Sequence, residues 1–289
     1  MTMEKHIFYS VCIISFAGSF LSTAVNIAIP VMSHEFGLTP DKLSWVVTAF
    51  LIPTAACLLP MGKVSDIYGR RKTYAAALLA FALTTAAAAL ATTLPVLVAI
   101  RALQGIALSA VYVSYMPLLL ATTDEDRQGR ILGICVGLTY LGLSLGPVAG
   151  GLLTEYAGWR SIFLLSAAMA LQPICSSARC VRMVCQRRAL RQRRELGLSM
   201  AGIVLFLWGL SAYAETSLPL WAGLLLLLAF ILHESRSYHP LLPLYIFRSV
   251  SFSMSNLAAF IQYSATYAMS FLLSLYLQVL TAYHRPSRA

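Results

Sequence analysis

Charge is what this sequence has least of. Only 11% of its 289 residues are charged, whereas soluble globular proteins carry about 25%. Acidic residues are the scarcer kind, with 11 Asp and Glu against 21 Lys and Arg. Hydrophobic residues make up 59% of the chain, and the mean hydropathy is +0.76. This scarcity of charge excludes an ordinary soluble domain and predicts a multi-pass membrane protein.

The sequence also lacks the usual marks of an enzyme or a metal protein. It contains no nucleotide-binding loop and no signature of a nucleophile triad. Its six cysteines have no zinc-ligand spacing and lie mostly in apolar segments, which indicates small apolar fillers. The net charge of +10 does not indicate nucleic acid, because the basic residues cluster in short connections. We therefore expect no enzyme activity, no metal and no nucleic-acid partner.

Long apolar segments fill the chain, and a transmembrane helix needs about 20 such residues. The sequence thus predicts an all-α fold, a polytopic transmembrane helical bundle. Nine candidate spans lie near 7–32, 43–62, 73–93, 95–121, 131–154, 160–180, 197–215, 218–233 and 252–281. The strongly basic connections, 63–72 and 179–194, fall on one side of such a bundle, which predicts a cytoplasmic amino terminus and an external carboxyl terminus. For 179–194, a regulatory or partner-binding role is the alternative to an orientation signal.

Three motifs interrupt the apolar pattern. A charged turn is predicted between the second and third spans, with the sequence G-K-V-S-D-I-Y-G-R-R-K over 62–72. Arg101 lies inside the fourth span, where an arginine costs at least ~2.5 kcal/mol, so it should face a cavity or a polar partner. The fifth span contains G-L-S-L-G-P-V-A-G-G over 142–151, and Gly133 and Gly137 precede it on a similar stripe. Small residues let helix backbones approach closely, and Pro147 bends the helix, which suits a pivot or a seal.

Together these motifs resemble the major facilitator superfamily of secondary transporters. The 62–72 segment is similar to G-x-L-A-D-R-x-G-R-K, with Val64 and Ile67 at the leucine and first arginine positions. Residues 101–105 resemble R-x-x-Q-G, and 142–151 match the antiporter motif G-x-x-x-G-P-x-x-G-G. That last motif is typical of proton-coupled exporters rather than uptake symporters.

Further segments resemble the fourteen-helix drug:proton antiporter branch. Residues 20–30 look like L-D-x-T-I-V-N-V-A-L-P, although Leu21 stands where the family has its aspartate, a candidate proton carrier. Residues 159–163 match W-R-x-I-F. The spans near 197–215 and 218–233 lie where this branch inserts a helix pair between its two six-helix bundles.

The resemblance implies proton-coupled efflux of amphipathic small molecules or drugs across the cell membrane. The bilayer and a small amphipathic substrate are the implied partners, with the proton gradient as driving force and no cofactor. Arg101 and Gln104 are implied in the proton pathway, with hydrogen bonding of Arg101 to backbone carbonyls as the alternative. The implied cytoplasmic gate comprises Gly62, Asp66, Gly69, Arg70 and Arg71. The antiporter motif comprises Gly142, Gly146, Pro147, Gly150 and Gly151. Weaker candidates for the cavity wall, each with a helix-packing hydrogen bond as the alternative, are Asn26, Tyr112, Tyr140, Asn256 and Gln262.

The resemblance also implies an organisation along the chain. A six-helix bundle is expected over 1–180, a basic cytoplasmic linker over 181–196, and the inserted pair over 197–233. A cytoplasmic loop over 234–251 then leads to the first helix of an incomplete second bundle, 252–289. Because such transporters form their cavity between two bundles, the alternative function is a truncated fragment that does not transport. A half that pairs with a second membrane chain supplying the missing helices is the other form of that alternative.

Overall fold

The computed structural model describes residues 3–177, 193–211, 218–236 and 244–283. Across these ranges the chain forms nine α-helices and a 3₁₀ helix, and no β-strand, which confirms the all-α prediction. The α-helices are α1 Met3–Phe36, α2 Pro40–Tyr68, α3 Arg70–Ala89, α4 Leu94–Leu120, α5 Glu125–Ala157, α6 Arg160–Ser177, α7 Arg193–Ser211, α8 Leu218–Arg236 and α9 Val250–Tyr283. The 3₁₀ helix, Leu244–Arg248, precedes α9.

Six helices among the described residues are long and apolar enough to cross a membrane. They are α1 to α5 and α8. Within a bilayer a helix satisfies its own backbone N–H and C=O groups, which is why helices of this length and composition are stable there. The chain is a multi-pass membrane protein, and the spans predicted over α6, α7 and α9 stay predictions.

The chain divides into two compact units, of which the first is Met1–Leu232. In this unit α1 packs against α5 and α6, α4 packs against α2 and α3, and α3 packs against α6. α7 lies against α2. The largest fully buried side chains include two aromatic residues at the start of α6, Trp159 and Phe163, and Phe81 of α3. The core therefore lies between α1, α2, α3, α4 and α6, and α5 packs mainly against α1.

The second unit is His233–Ala289. Its 3₁₀ helix is joined to the start of α9, since Ser253 Oγ donates to the Phe247 carbonyl at 2.6 Å. The rings of Phe247 and Phe252 meet edge to face with their centroids 5.3 Å apart. The domain limits predicted from the sequence stay predictions, and most of the basic run at 179–194 lies outside the described residues.

The charged segment 62–72 is helical over most of its length, whereas the sequence predicted a turn. α2 continues to Tyr68 and α3 begins at Arg70, so Gly69 alone separates the two helices. Gly69 has a φ of +91°, a backbone conformation that side chains with a Cβ rarely adopt. The glycine provides the whole change of direction, which is why no longer loop is needed.

We expect Gly69→Ala to destabilise the first unit by ~1–3 kcal/mol, because alanine would hold a disfavoured positive φ. Gly62→Ala is the matched control: Gly62 is helical, and a Cβ there meets nothing within 4 Å. Thermal unfolding of both variants in detergent, followed by circular dichroism, measures the difference. Equal melting temperatures would contradict a special role for Gly69.

Candidate functional site

The interface between α1 and α5 is built on three glycines of α5. Gly142, Gly146 and Gly150 are all buried and recur every four residues, so they share one helical face. A Cβ added to any of them would approach α1 too closely. The nearest α1 atoms are the Phe16 carbonyl oxygen at 2.6 Å for Gly142, Thr23 Oγ1 for Gly146, and Ala24 Cβ at 2.6 Å for Gly150. The glycines therefore set how closely the two backbones pack.

The other glycines of α5 do not belong to this interface. A Cβ at Gly151 would meet only the Ile27 side chain, at an ordinary 3.7 Å, and one at Gly133 or Gly137 would meet nothing within 4 Å. The predicted stripe through Gly133 and Gly137 is wrong because Gly137 lies five residues before Gly142, off the packed face. That face continues instead through Cys135, which is buried. Pro147 lies within the continuous helix Glu125–Ala157.

Arg101 of α4 is among the largest fully buried side chains, with 1% of its surface exposed. Its Nε donates to the Val46 carbonyl of α2 at 3.0 Å, and its Nη1 donates to Gln104 Oε1 at 2.7 Å. The guanidinium carbon lies 4.2 Å from the centroid of the Phe50 ring, a cation–π geometry. No carboxylate pairs with Arg101 among the described residues. The charge is thus compensated by a carbonyl dipole, an amide and an aromatic face.

A buried hydrogen-bond chain extends from Arg101 to α3. Gln104 Nε2 donates to Thr85 Oγ1 at 2.6 Å, and Thr85 Oγ1 donates to the Phe81 carbonyl at 2.5 Å. The next residue of the motif, Gly105, packs directly on α2, where Thr54 Oγ1 donates to its carbonyl at 3.2 Å. The hydrogen bond to Val46 matches the alternative in which Arg101 bonds backbone carbonyls. A role for Arg101 in a proton route stays a prediction.

The predicted gate residues lie around the junction of α2 and α3. Arg70 Nη2 is 3.3 Å from Asp66 Oδ1, with the two side chains 48% and 60% exposed. Such an exposed pair contributes ~0–1 kcal/mol, so it orients the junction more than it stabilises it. Among the described residues, Arg71 Nη2 is buried without a hydrogen-bond partner. The gate assignment itself stays a prediction.

Three of the five weaker cavity candidates lie in the first unit and two in the second. In the first unit, Asn26 is exposed and the Tyr112 ring packs edge to face on Tyr115, while Tyr140 is half-buried. In the second unit, Asn256 Nδ2 donates to the Phe252 carbonyl of its own helix at 2.8 Å, and Gln262 is exposed. Their role in a cavity stays a prediction.

A polar cluster that the sequence did not predict joins the end of α1 to the start of α6. Trp159 Nε1 donates to Glu35 Oε2 at 2.6 Å, and Arg160 Nη1 lies 2.7 Å from Glu35 Oε1. The Arg160 guanidinium stacks 4.3 Å from the Trp159 ring and donates to the Ala91 carbonyl after α3 at 3.4 Å. One carboxylate therefore organises three chain segments. The W-R pair was visible in the sequence, but Glu35 lies 124 residues away from Trp159 and carried no signal.

Comparison with known proteins shows the family of this chain. The family model described as Major Facilitator Superfamily matches residues 11–285. The chain belongs to the Major Facilitator Superfamily. This is a family of transporters rather than enzymes, and the membership agrees with the resemblance of the three motifs.

Several members of the superfamily with assigned roles are similar to the chain. It is 29% identical to the multidrug resistance protein Stp of Mycobacterium tuberculosis, over 90% of this chain and 50% of that protein. It is 30% identical to the cephamycin export protein CmcT of Amycolatopsis lactamdurans, over 94% of this chain and 58% of that protein. The tetracenomycin C resistance and export protein of Streptomyces glaucescens is 28% identical over 89% of this chain and 49% of that protein. The chain spans about half the length of these relatives.

A solved structure supports the superfamily fold. The POT family transporter PepTSo matches with a TM-score of 0.60 at 14% identity, over 82% of this chain and 55% of that one. At this identity the likeness concerns the fold alone.

We expect Gly146→Ala and Gly150→Ala to destabilise the first unit, because overpacking typically costs ~1–3 kcal/mol. Gly151→Ala is the matched control on the same helix, since its Cβ meets only Ile27 at 3.7 Å. Thermal unfolding in detergent separates the variants. If Gly150→Ala and Gly151→Ala have the same melting temperature, the glycines are not needed for the close approach of α1 and α5.

We expect Glu35→Ala to destabilise the first unit by ~1–3 kcal/mol, because Trp159 is 1% exposed and its indole N–H would lose its partner. Glu35→Gln should cost less, since an amide oxygen still accepts that bond while only the half-exposed ion pair is lost. Asp66→Ala removes a carboxylate from an exposed pair and is the control, with a change near zero. Equal unfolding curves for the Glu35 and Asp66 alanine variants would refute the role of the cluster.

Proposed function

We propose that this protein acts in proton-coupled efflux of amphipathic small molecules or drugs. The observation that carries the proposal is the glycine face of α5, because the complete ten-residue antiporter motif supplies three glycines that pack directly on α1. The multidrug resistance, cephamycin export and tetracenomycin export roles named for its relatives support the same class of substrate. The proposal places the chain in the cell membrane, in contact with lipid and a small amphipathic substrate.

In this proposal the antiporter helix α5 and helix α1 act as one wall of a cavity between bundles. The Asp66–Arg70 pair and Gly69 hold the junction of α2 and α3 at the cytoplasmic gate. Gly62 and Arg71 complete that gate motif. The cavity candidates named from the sequence belong to the same proposal.

Arg101 has a defined physical role in the proposed proton route. An arginine keeps its proton in proteins, so Arg101 acts as a fixed positive charge rather than as a proton carrier. Its bond to Gln104, and the bond of Gln104 to Thr85, give that charge a fixed position between α2, α3 and α4. A fixed positive charge lowers the proton affinity of titratable groups near it, which is how Arg101 would couple proton entry to substrate exit.

Efflux of a cationic fluorescent dye from efflux-deficient cells tests the function. With this chain expressed, we expect dye export that a protonophore abolishes. Arg101→Ala should reduce export to background, because the buried charge and its hydrogen bonds are lost. Arg127→Ala removes an exposed arginine of α5 and should leave export unchanged.

Each result of that experiment decides between hypotheses. Export that persists with the protonophore contradicts proton coupling. Export by Arg101→Ala at the level of Arg127→Ala contradicts the role of Arg101. No export from cells in which membrane insertion is verified favours the alternative of an inactive fragment or a half that needs a second chain. Nothing in the described residues supports such a second chain.

The proposed orientation places the amino terminus in the cytoplasm, because the basic connections lie on that side. In a cysteine-free background, a thiol introduced at Ser287 should react with a membrane-impermeant maleimide added outside the cell. A thiol introduced at Thr2 should react only after the membrane is permeabilised. The reverse labelling pattern would show that the orientation is wrong.

A further inference from the structure

The register of α1 and α5 places two cysteines opposite each other. Ser19 and Phe16 contact Gly142, and Thr23 contacts Gly146, so residue numbers rise together and the two helices run in the same direction. Seven residues, or two helical turns, before Ser19 lies Cys12, and seven residues before Gly142 lies Cys135. Because a shift of seven residues returns each helix to the same face, the two cysteines occupy the same interface as the glycines.

The contacts of the two cysteines agree with this register. Cys12 packs against Cys135 in a small apolar cluster with Ile7, Val11 and Leu119. The side chains of Cys12 and Cys135 are neighbours in this cluster. Both are free thiols; Cys135 is buried, whereas Cys12 is only partly covered. Cys12 is therefore the less covered thiol of the two.

The glycines bring α1 and α5 closer together than helices in ordinary contact. Two helices in ordinary contact keep their axes about 8–10 Å apart, but small residues at the interface let them come closer. A disulfide requires Cα atoms roughly 4.4–6.8 Å apart. The glycine contacts two turns further along α5 bring the two backbones together on this face, which favours a disulfide between Cys12 and Cys135.

We propose that Cys12 and Cys135 form a dithiol modification site, which a peroxide oxidises to a disulfide that ties α1 to α5. One thiol attacks the peroxide oxygen, breaking the O–O bond and forming a sulfenic acid and water. The second thiol attacks the sulfenic sulfur, forming the S–S bond and releasing a second water. In balance, two thiols and one hydrogen peroxide give one disulfide and two waters, with sulfur oxidised and peroxide oxygen reduced. A thiol reductant reverses the step.

Mass spectrometry after oxidation tests the site. In a chain with Cys57, Cys175, Cys180 and Cys185 replaced by Ser, hydrogen peroxide followed by N-ethylmaleimide and proteolysis should yield a peptide linking Cys12 to Cys135. Dithiothreitol should remove the link. The oxidised chain should also melt at a higher temperature than the reduced one, and Cys12→Ser should abolish both effects. The proposal does not depend on transport, so its failure leaves the proposed function untouched.

A matched variant separates the packed face of α5 from its exposed face. Cys135→Ser combined with Gly137→Cys moves the thiol two residues along α5, to a position where an added Cβ meets nothing within 4 Å. This variant should give no link to Cys12. The chain with all its natural cysteines, oxidised in parallel, should give the Cys12–Cys135 peptide even if the serine variant does not fold. A link of equal yield through Gly137→Cys, dimers linked between chains, or no Cys12–Cys135 peptide from either chain would overturn the proposal.

Discussion

The close approach of α1 and α5 is the contact on which the rest of the first unit depends. Lipid tails are as apolar as the helix surfaces, so helix association in a membrane relies on packing and polar contacts instead of the hydrophobic effect. Three glycines of α5 provide that packing by admitting α1 to within backbone contact. The same contact positions Cys12 against Cys135. It also fixes α1, whose carboxyl-terminal end carries Glu35.

Polar groups hold the other half of the unit together. Arg101 and Gln104 join α4 to α2 and α3 by hydrogen bonds, and the Arg101 guanidinium carbon also lies 5.8 Å from the ring centroid of Phe163 in α6. Because a buried charge left without partners is costly in a membrane, these contacts favour one arrangement of the four helices. Packing thus specifies the α1–α5 pair, and electrostatics specifies the arrangement around α4.

The sequence predicted features that depend on local pattern. The length of the apolar segments predicted where the helices lie, and the spacing of Gly142, Gly146 and Gly150 predicted the packed face of α5. Prediction from the sequence failed where the geometry depends on a single backbone torsion or on residues far apart in the chain. The positive φ of Gly69 reduces a predicted turn to one residue, Gly137 lies off the helical face by one position, and Glu35 finds Trp159 only after folding. Helical phase could have excluded Gly137, whereas no local rule could have paired Glu35 with α6.

The two faces of α5 differ in what they contact, and this difference favours a seal over a pivot for its motif in the proposed function. Its glycine face meets α1 so closely that a Cβ at Gly146 or Gly150 would overlap it, and bulkier neighbouring residues would collide if either helix slid along the other. Its opposite face presents large aliphatic side chains, with Val148 64% and Leu152 52% exposed. Movement between α1 and α5 would lose the packing, while movement of the two together would change only what the aliphatic face contacts. The pair is therefore a closely packed element of the first unit. In the proposed transport cycle we expect movement at its aliphatic face rather than between α1 and α5.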